Sequence, residues 1–254
     1  MRRAVYFFAG CLALAGAAVL ATGRAEAVSS IPFTLDVYNN GVLIGQSDQN
    51  ALGCVDNPDG VSAHCAVQNI PYGPGYDAVT VDDLNMDIDK DPVVTGSMTV
   101  TNTQTTTQLY TFIFTLGVSP IPGSTLTGGS ARGTITATNS TNAVISVGPD
   151  GAIYTPLIDG LPYGSPPSST QLLFGPYSDA PGGGPTNIPS SAFGVTIPSY
   201  PGPSVASSIG IQLQFNLTAG DQASITSNHV VVVPEPQTAA LLGVGLVLLA
   251  IRRR

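Results

Sequence analysis

Ile209-Gly210-Ile211-Gln212-Leu213-Gln214-Phe215-Asn216-Leu217-Thr218 alternates apolar with polar or small side chains without a break. Successive strand side chains point to opposite faces, so this period of two sends Ile209, Ile211, Leu213, Phe215 and Leu217 to one buried face. A helical repeat would scatter the same residues around an axis, so the stretch reads as a half-buried strand. The turn formers Ala219-Gly220-Asp221 follow, and a second strand runs through Ile225 into Val230-Val231-Val232-Val233.

Working outward, Tyr38-Asn39-Asn40-Gly41-Val42 places an Asn-Gly pair between apolar stretches, a hairpin signal because both residues tolerate positive φ. Thr99 to Leu116 supplies two threonine-rich strands, with Tyr110, Phe112, Phe114 and Leu116 on one face. No run outside the two termini is helical in pattern. Short strands punctuated by Gly and Pro predict an all-β fold, a single antiparallel β-sandwich of jelly-roll or Ig-like type over residues 28–232. Eleven prolines and Gly182-Gly183-Gly184 break up residues 156–208. Only Thr170–Phe174 and Phe193–Ile197 read as strands there. Leu172, Leu173, Phe174, Tyr177, Phe193 and Tyr200 are too apolar for a solvated linker, so this region is predicted to form long loops packed over the sandwich.

Asp82-Asp83-Leu84-Asn85-Met86-Asp87-Ile88-Asp89-Lys90-Asp91 sets Asn85, Asp87, Asp89 and Asp91 against Leu84, Met86 and Ile88. Oxygen ligands at alternate positions resemble the start of a calcium loop, which makes Asp87, Asp89 and Asp91 the metal candidates. Pro92 then stands where that loop needs glycine, no glutamate follows, and alternate strand side chains sit ~7 Å apart. The reading is therefore a solvent-facing charged strand with no metal and no cofactor. The phase change from Val79/Val81 to Leu84/Met86/Ile88 predicts a bulge at Asp82-Asp83.

Between the termini the chain has two basic residues, Lys90 and Arg132, against fourteen aspartates, a formal charge of −12. Phosphate backbones demand lysine and arginine, so nucleic acid is excluded as a partner. Cys54 and Cys65 are the only cysteines left after a leader is removed, and in an oxidising compartment two cysteines read as one disulfide. A metal site would need more than these two and His64. No G-x-S-x-G elbow, phosphate-binding glycine loop or H-E-x-x-H is present, and Gly128-Gly129-Ser130-Ala131-Arg132-Gly133 misses the elbow spacing by one. The chain reads as a non-enzyme. With no tryptophan, Tyr72, Tyr76, Tyr163 and Tyr200 would have to supply any sugar-stacking platform.

The termini set the destination. Met1-Arg2-Arg3, the apolar run Ala4 to Ala21 and the small residues Ala25 and Ala27 around Glu26 form a signal peptide over residues 1–27, with the mature chain starting at Val28. Phe8-Ala9-Gly10-Cys11 is a poor lipoprotein box, since too little apolar sequence precedes Cys11. At the other end come Val233, Pro234, Glu235 and Pro236, an uncharged run to Ile251, and the basic tail Arg252, Arg253 and Arg254. Proline lacks a backbone donor and pushes its predecessor towards extended geometry, so Pro234-Glu235-Pro236 precedes rather than joins a helix. The fifteen residues Gln237–Ile251 would make a helix of ~22 Å, short against a hydrocarbon core of ~30 Å. Snorkelling arginines and local thinning close that gap, and the basic end is held on the cytoplasmic side. On these grounds alone the tail is either a plain inner-membrane anchor or a sorting segment.

Residues 233–254 resemble the PEP-CTERM sorting signal of exported Gram-negative proteins, matching its V-P-E-P box, short transmembrane helix and basic end. The resemblance implies recognition by exosortase, a membrane-embedded transpeptidase-like enzyme that cleaves near the box. It also implies an inner-membrane-anchored precursor, a final place at the cell surface or outside the cell, and an association with exopolysaccharide and biofilm. The first expectation is thus a non-catalytic surface or matrix protein. The alternative is a calcium- or carbohydrate-binding sandwich module, with a secreted enzyme third.

Overall fold

The computed structural model describes residues 31–75, 77–139, 141–164 and 169–233. Among them every regular element is a strand. No helix there is long and apolar enough to cross a membrane. The predicted signal peptide with Ala25 and Ala27, the segment Pro234, Glu235 and Pro236, the sorting helix and Arg252 to Arg254 lie outside the described residues.

In chain order the strands are β1 (Phe33–Asn39), β2 (Val42–Asp48), β3 (Cys54–Asp56), β4 (Ser62–Tyr72), β5 (Val79–Asp89), β6 (Val93–Asn102), β7 (Gln108–Gly117) and β8 (Thr125–Thr136). They continue as β9 (Ala143–Val147), β10 (Tyr154–Ile158), β11 (Leu161–Pro162), β12 (Tyr177–Asp179), β13 (Thr186–Phe193), β14 (Tyr200–Gly202), β15 (Ser208–Leu217) and β16 (Gln222–Val232). Two eight-stranded sheets result. One runs β11-β10-β15-β7-β1-β2, with β9 also on β15 and β12 on β9; the other runs β13-β8-β16-β6-β5-β4-β3, with β14 also on β8. Every pairing is antiparallel.

The alternating stretch becomes β15, the strand that joins β7 to β10, with its five apolar residues fully buried. Asn40 (φ 49) and Gly41 (φ 79) turn β1 into β2, as a two-residue hairpin with both central residues left-handed requires. The inner faces of the two sheets share one core. Aromatic side chains from the first sheet fill it: Phe112 stacks on Phe215 at 5.9 Å between centroids, and Phe33 on Phe114 at 6.3 Å. Leu84, Met86 and Ile88 of β5 and Ile225 of β16 are buried in the same core from the other sheet.

Polar side chains also cross the core. The Tyr110 hydroxyl lies 2.7 Å from both the Ala78 carbonyl and Oδ1 of Asn102. Asn102, itself buried, donates from Nδ2 to the carbonyls of Thr106, Leu217 and Thr218 and so ties the end of β6 to the β15–β16 turn. Asp221 lies buried there, its carboxylate accepting from the Thr138 amide.

The register of β5 against β6 shifts between Val81 and Asp83. That bulge turns Val79 and Val81 into phase with Leu84 and Met86, so all four are buried.

Residues 156–208 depart from the sequence reading. They hold β11, β12, β13, β14 and most of β10 rather than only long loops. Thr170–Phe174 is not a strand, and Leu172 makes only an isolated bridge to Tyr154. Phe193 ends β13, so Phe193–Ile197 is not a strand either. Proline misled the reading in both β10 and β13. Pro189 sits in a register shift between Ile188 and Ser191 on the outermost strand of its sheet, and Pro156 pairs on one side with β15. Edges and bulges tolerate a missing N–H.

Candidate functional site

The sorting segment begins where a central strand ends. β16 lies between β6 and β8 and is paired along its whole length. Its last turn of pairing is tight: the Val231 amide donates to the Pro92 carbonyl at 2.9 Å, and Val232 lies opposite Leu126. Val231 is fully buried and Val233 is 49% exposed. One residue, Val233, therefore separates the folded sheet from Pro234.

β16 alternates half-buried and buried positions, and its buried set is Ala223, Ile225, Ser227, His229 and Val231. His229 thus faces the core. Its Nδ1 lies 3.0 Å from the Gly210 carbonyl and its Nε2 2.8 Å from the Tyr163 hydroxyl. Burial lowers its pKa to about 4, opposed by the Gly210 hydrogen bond. Burial likewise pushes the Tyr163 phenol upward. His229 is a packed, neutral core residue and offers no accessible acid or base at neutral pH. Its parity with Ile225 and Val231 is the sequence signal that marks it as inward-facing.

Cys54 and Cys65 lie directly opposite each other on β3 and β4 and form a disulfide, with Cα atoms 3.8 Å apart. The turn between these strands is organised by Asp59, whose carboxylate accepts from the Ser62 hydroxyl and from the Ser62 and Val61 amides, bonds that together hold its pKa low. A hydrogen bond of 2.8 Å joins His64 Nδ1 to Asp87 Oδ1 across β4 and β5.

The acidic strand is not the four-residue face read from the sequence. Asn85 and Asp87 are exposed and Asp89 is partly so, but β5 ends at Asp89 and leaves Asp91 in the following turn. There the Asp91 amide donates to Asp89 Oδ1 at 2.9 Å. Asp87 is occupied by His64, and Asp82 by Thr101 and Gln222. Among the described residues no group of three His, Cys, Asp or Glu side chains is placed to hold a metal.

The near-elbow at Gly128 to Gly133 lies inside β8, where the Ser130 amide bonds Oδ1 of Asn228. A strand-to-helix nucleophile turn is absent at that position. Of the proposed platform tyrosines, Tyr163 and Tyr200 lie near each other, both beside Thr127, but each described ring is engaged in packing. Tyr72 is buried with its hydroxyl on Ser47, Tyr163 stacks on His229, and Tyr200 meets Phe193 edge-on at 6.1 Å. Tyr76 lies outside the described residues.

The sequence reading missed one feature. A shallow groove of about 380 Å³ runs over β8 and β16 beneath the Pro189 bulge, lined by Arg132, Thr134, Asn187, Ser224 and Thr226. Arg132 is exposed and has no carboxylate partner among the described residues. The groove presents short hydroxyls, an amide and one cation, groups suited to polar ligands but without an acid–base pair or an activated nucleophile. Its composition comes from residues far apart in the chain, which no local motif reports.

Comparison with known families matches the model of the PEP-CTERM protein-sorting motif to residues 232–254. No curated protein matches the chain. The match starts at the last residue of β16, so the chain carries a sorting motif joined directly to the all-β body.

Proposed function

We propose that this chain, which carries the PEP-CTERM motif, is a non-catalytic surface or matrix protein whose β-sandwich ectodomain is exported and handed to exosortase. The precursor is held in the inner membrane by residues 238–251, with Arg252 to Arg254 on the cytoplasmic side. The processed ectodomain then joins the extracellular matrix in contact with exopolysaccharide. The motif over residues 232–254 carries this reading. A single disulfide and an acidic, lysine-poor domain support it, since both suit an oxidising extracellular setting.

The test follows the size and location of the protein by immunoblot in a host with and without its exosortase. Wild type should mature only in the presence of the enzyme. Pro234→Ala with Pro236→Ala should block maturation, because a helix extended through the box hides the backbone a protease must grip. Normal maturation of that double variant would reduce the tail to a plain anchor.

A second reading, a carbohydrate-binding module, rests on the Arg132 groove. Arg132→Ala should then weaken retention of the purified ectodomain on immobilised exopolysaccharide, while an unchanged retention would remove that reading.

A further inference from the structure

Both described ends of the domain leave through one end of the two-sheet body. In the first sheet Phe33 pairs with Leu116 near the end of β7, and Ser208 pairs with Gly117. The link 118–124 carries β7 into β8, whose Leu126 lies opposite Val232 at the end of β16. Pro32, Lys90, Gly117 and Ser207 line a common cleft at this end. Pro92, two residues beyond Lys90, accepts the Val231 amide.

The tether beyond this end is short. Four residues, Pro234 to Gln237, separate Val233 from the apolar run of residues 238–251. At ~3.3–3.6 Å per extended residue they reach at most roughly 14 Å. A domain of ~200 residues has a radius of gyration of roughly 16 Å. An enzyme in the membrane that grips this segment cannot avoid the end of the domain. β16 is a central strand held on both sides, so fraying it to lengthen the tether would break both ladders.

We propose that this end of the folded domain is a docking surface for the enzyme that processes the motif, so that motif and domain are recognised together. The surface consists of Lys90 and Asp91 from the β5–β6 turn, Pro122 and Ser124 from the β7–β8 link, and Pro203 and Ser204 from the β14–β15 link, all exposed. It carries one of the two cations between the termini. The inference rests on the exosortase reading above.

The experiment measures maturation rates by pulse–chase in the exosortase-containing host, for the full-length chain. Lys90→Glu with Ser124→Glu removes the cation and turns the surface acidic without touching the core, since both residues are exposed. It should slow maturation by about threefold or more, as altered charge at an interface rim slows association. The purified ectodomain should melt as wild type does. A Gly/Ser spacer of about twelve residues between Val233 and Pro234, reaching roughly 20 Å, should abolish the difference between substituted and unsubstituted surfaces. Wild-type maturation of the unspaced surface variant overturns the proposal. So does equal slowing with the spacer present, which would mark a folding or export fault. If the Pro234→Ala, Pro236→Ala control matures like wild type, the exosortase reading itself fails and takes this inference with it.

Discussion

Nε2 of His229 lies 2.8 Å from the Tyr163 hydroxyl, with the two rings stacked 5.7 Å apart. The Gly210 carbonyl on the other side can only accept, so Nδ1 carries the proton and Nε2 accepts from the tyrosine. The neutral ring is satisfied at both nitrogens, three positions from the strand's end.

Stability should therefore fall as pH drops from about 6.5, the ordinary histidine value, to about 4, the value in the fold. Between these limits the unfolded chain binds a proton that the folded chain refuses, so the contribution is intact above the window and lost below it. Its size is up to about 3 kcal/mol. Urea midpoints at several pH values should show a shallower slope for His229→Gln than for wild type, and equal slopes would refute the assignment. Asp179, held low by the Ala137 amide and the Thr186 hydroxyl, adds a separate loss below about 3.8.

Replacing Cys54 and Cys65 together by alanine should lower stability by about 3 kcal/mol, the loop-closure value for a separation of this length. Both side chains are buried, so the change adds a small packing loss to the entropic one. Dithiothreitol should produce a comparable drop in wild type and none in the variant. A melting temperature indifferent to the reductant would contradict the bond.

Gly129→Ala should destabilise by about 1–3 kcal/mol through overpacking. A Cβ there would sit 2.5 Å from the Tyr154 hydroxyl and 2.6 Å from the Phe193 ring. Tyr154 is fully buried and donates to the Asn228 carbonyl at 2.7 Å, so it has no free direction in which to retreat. Chemical denaturation decides, and a neutral substitution would mean that the β8–β10 approach is looser than described.

Calcium should leave the ectodomain unaffected. Asp87 is bonded to His64, Asp91 lies off the strand, and among the described residues no three His, Cys, Asp or Glu side chains converge. Calorimetry should register no heat of binding at millimolar calcium, and Asp89→Ala should melt as wild type does. A micromolar site lost on that substitution would reverse this conclusion.

Some of the molecule is legible in its sequence because the signal is local. The period of two in Ile209–Leu217, the Asn40-Gly41 turn and the phase slip at Asp82 each depend on a few adjacent residues and on the alternation of strand side chains. Pro189 and Pro156 were misread because proline's missing N–H matters only when a neighbouring strand needs it, and which sides are open is a property of the sheet. Tyr72, one of the rings that any sugar platform would have to use, is buried for a similar reason: its face is set by β5 opposite it, at Val79.

By itself the sequence determined the strand periodicity, the charge and the sorting motif, since all three are written in contiguous residues. Only the tertiary structure decided which strands lie at the centre, that His229 is buried against Tyr163, that Arg132 meets Asn187 and Ser224 in one groove, and that residues 32 and 233 emerge at one end. These follow from pairing between residues far apart in the chain, as between β8 and β16, where Thr136 meets Gln222, or β7 and β15, where Gly117 meets Ser208. Such pairings are fixed by the joint packing of two sheets on one core, and no window along the chain contains both partners.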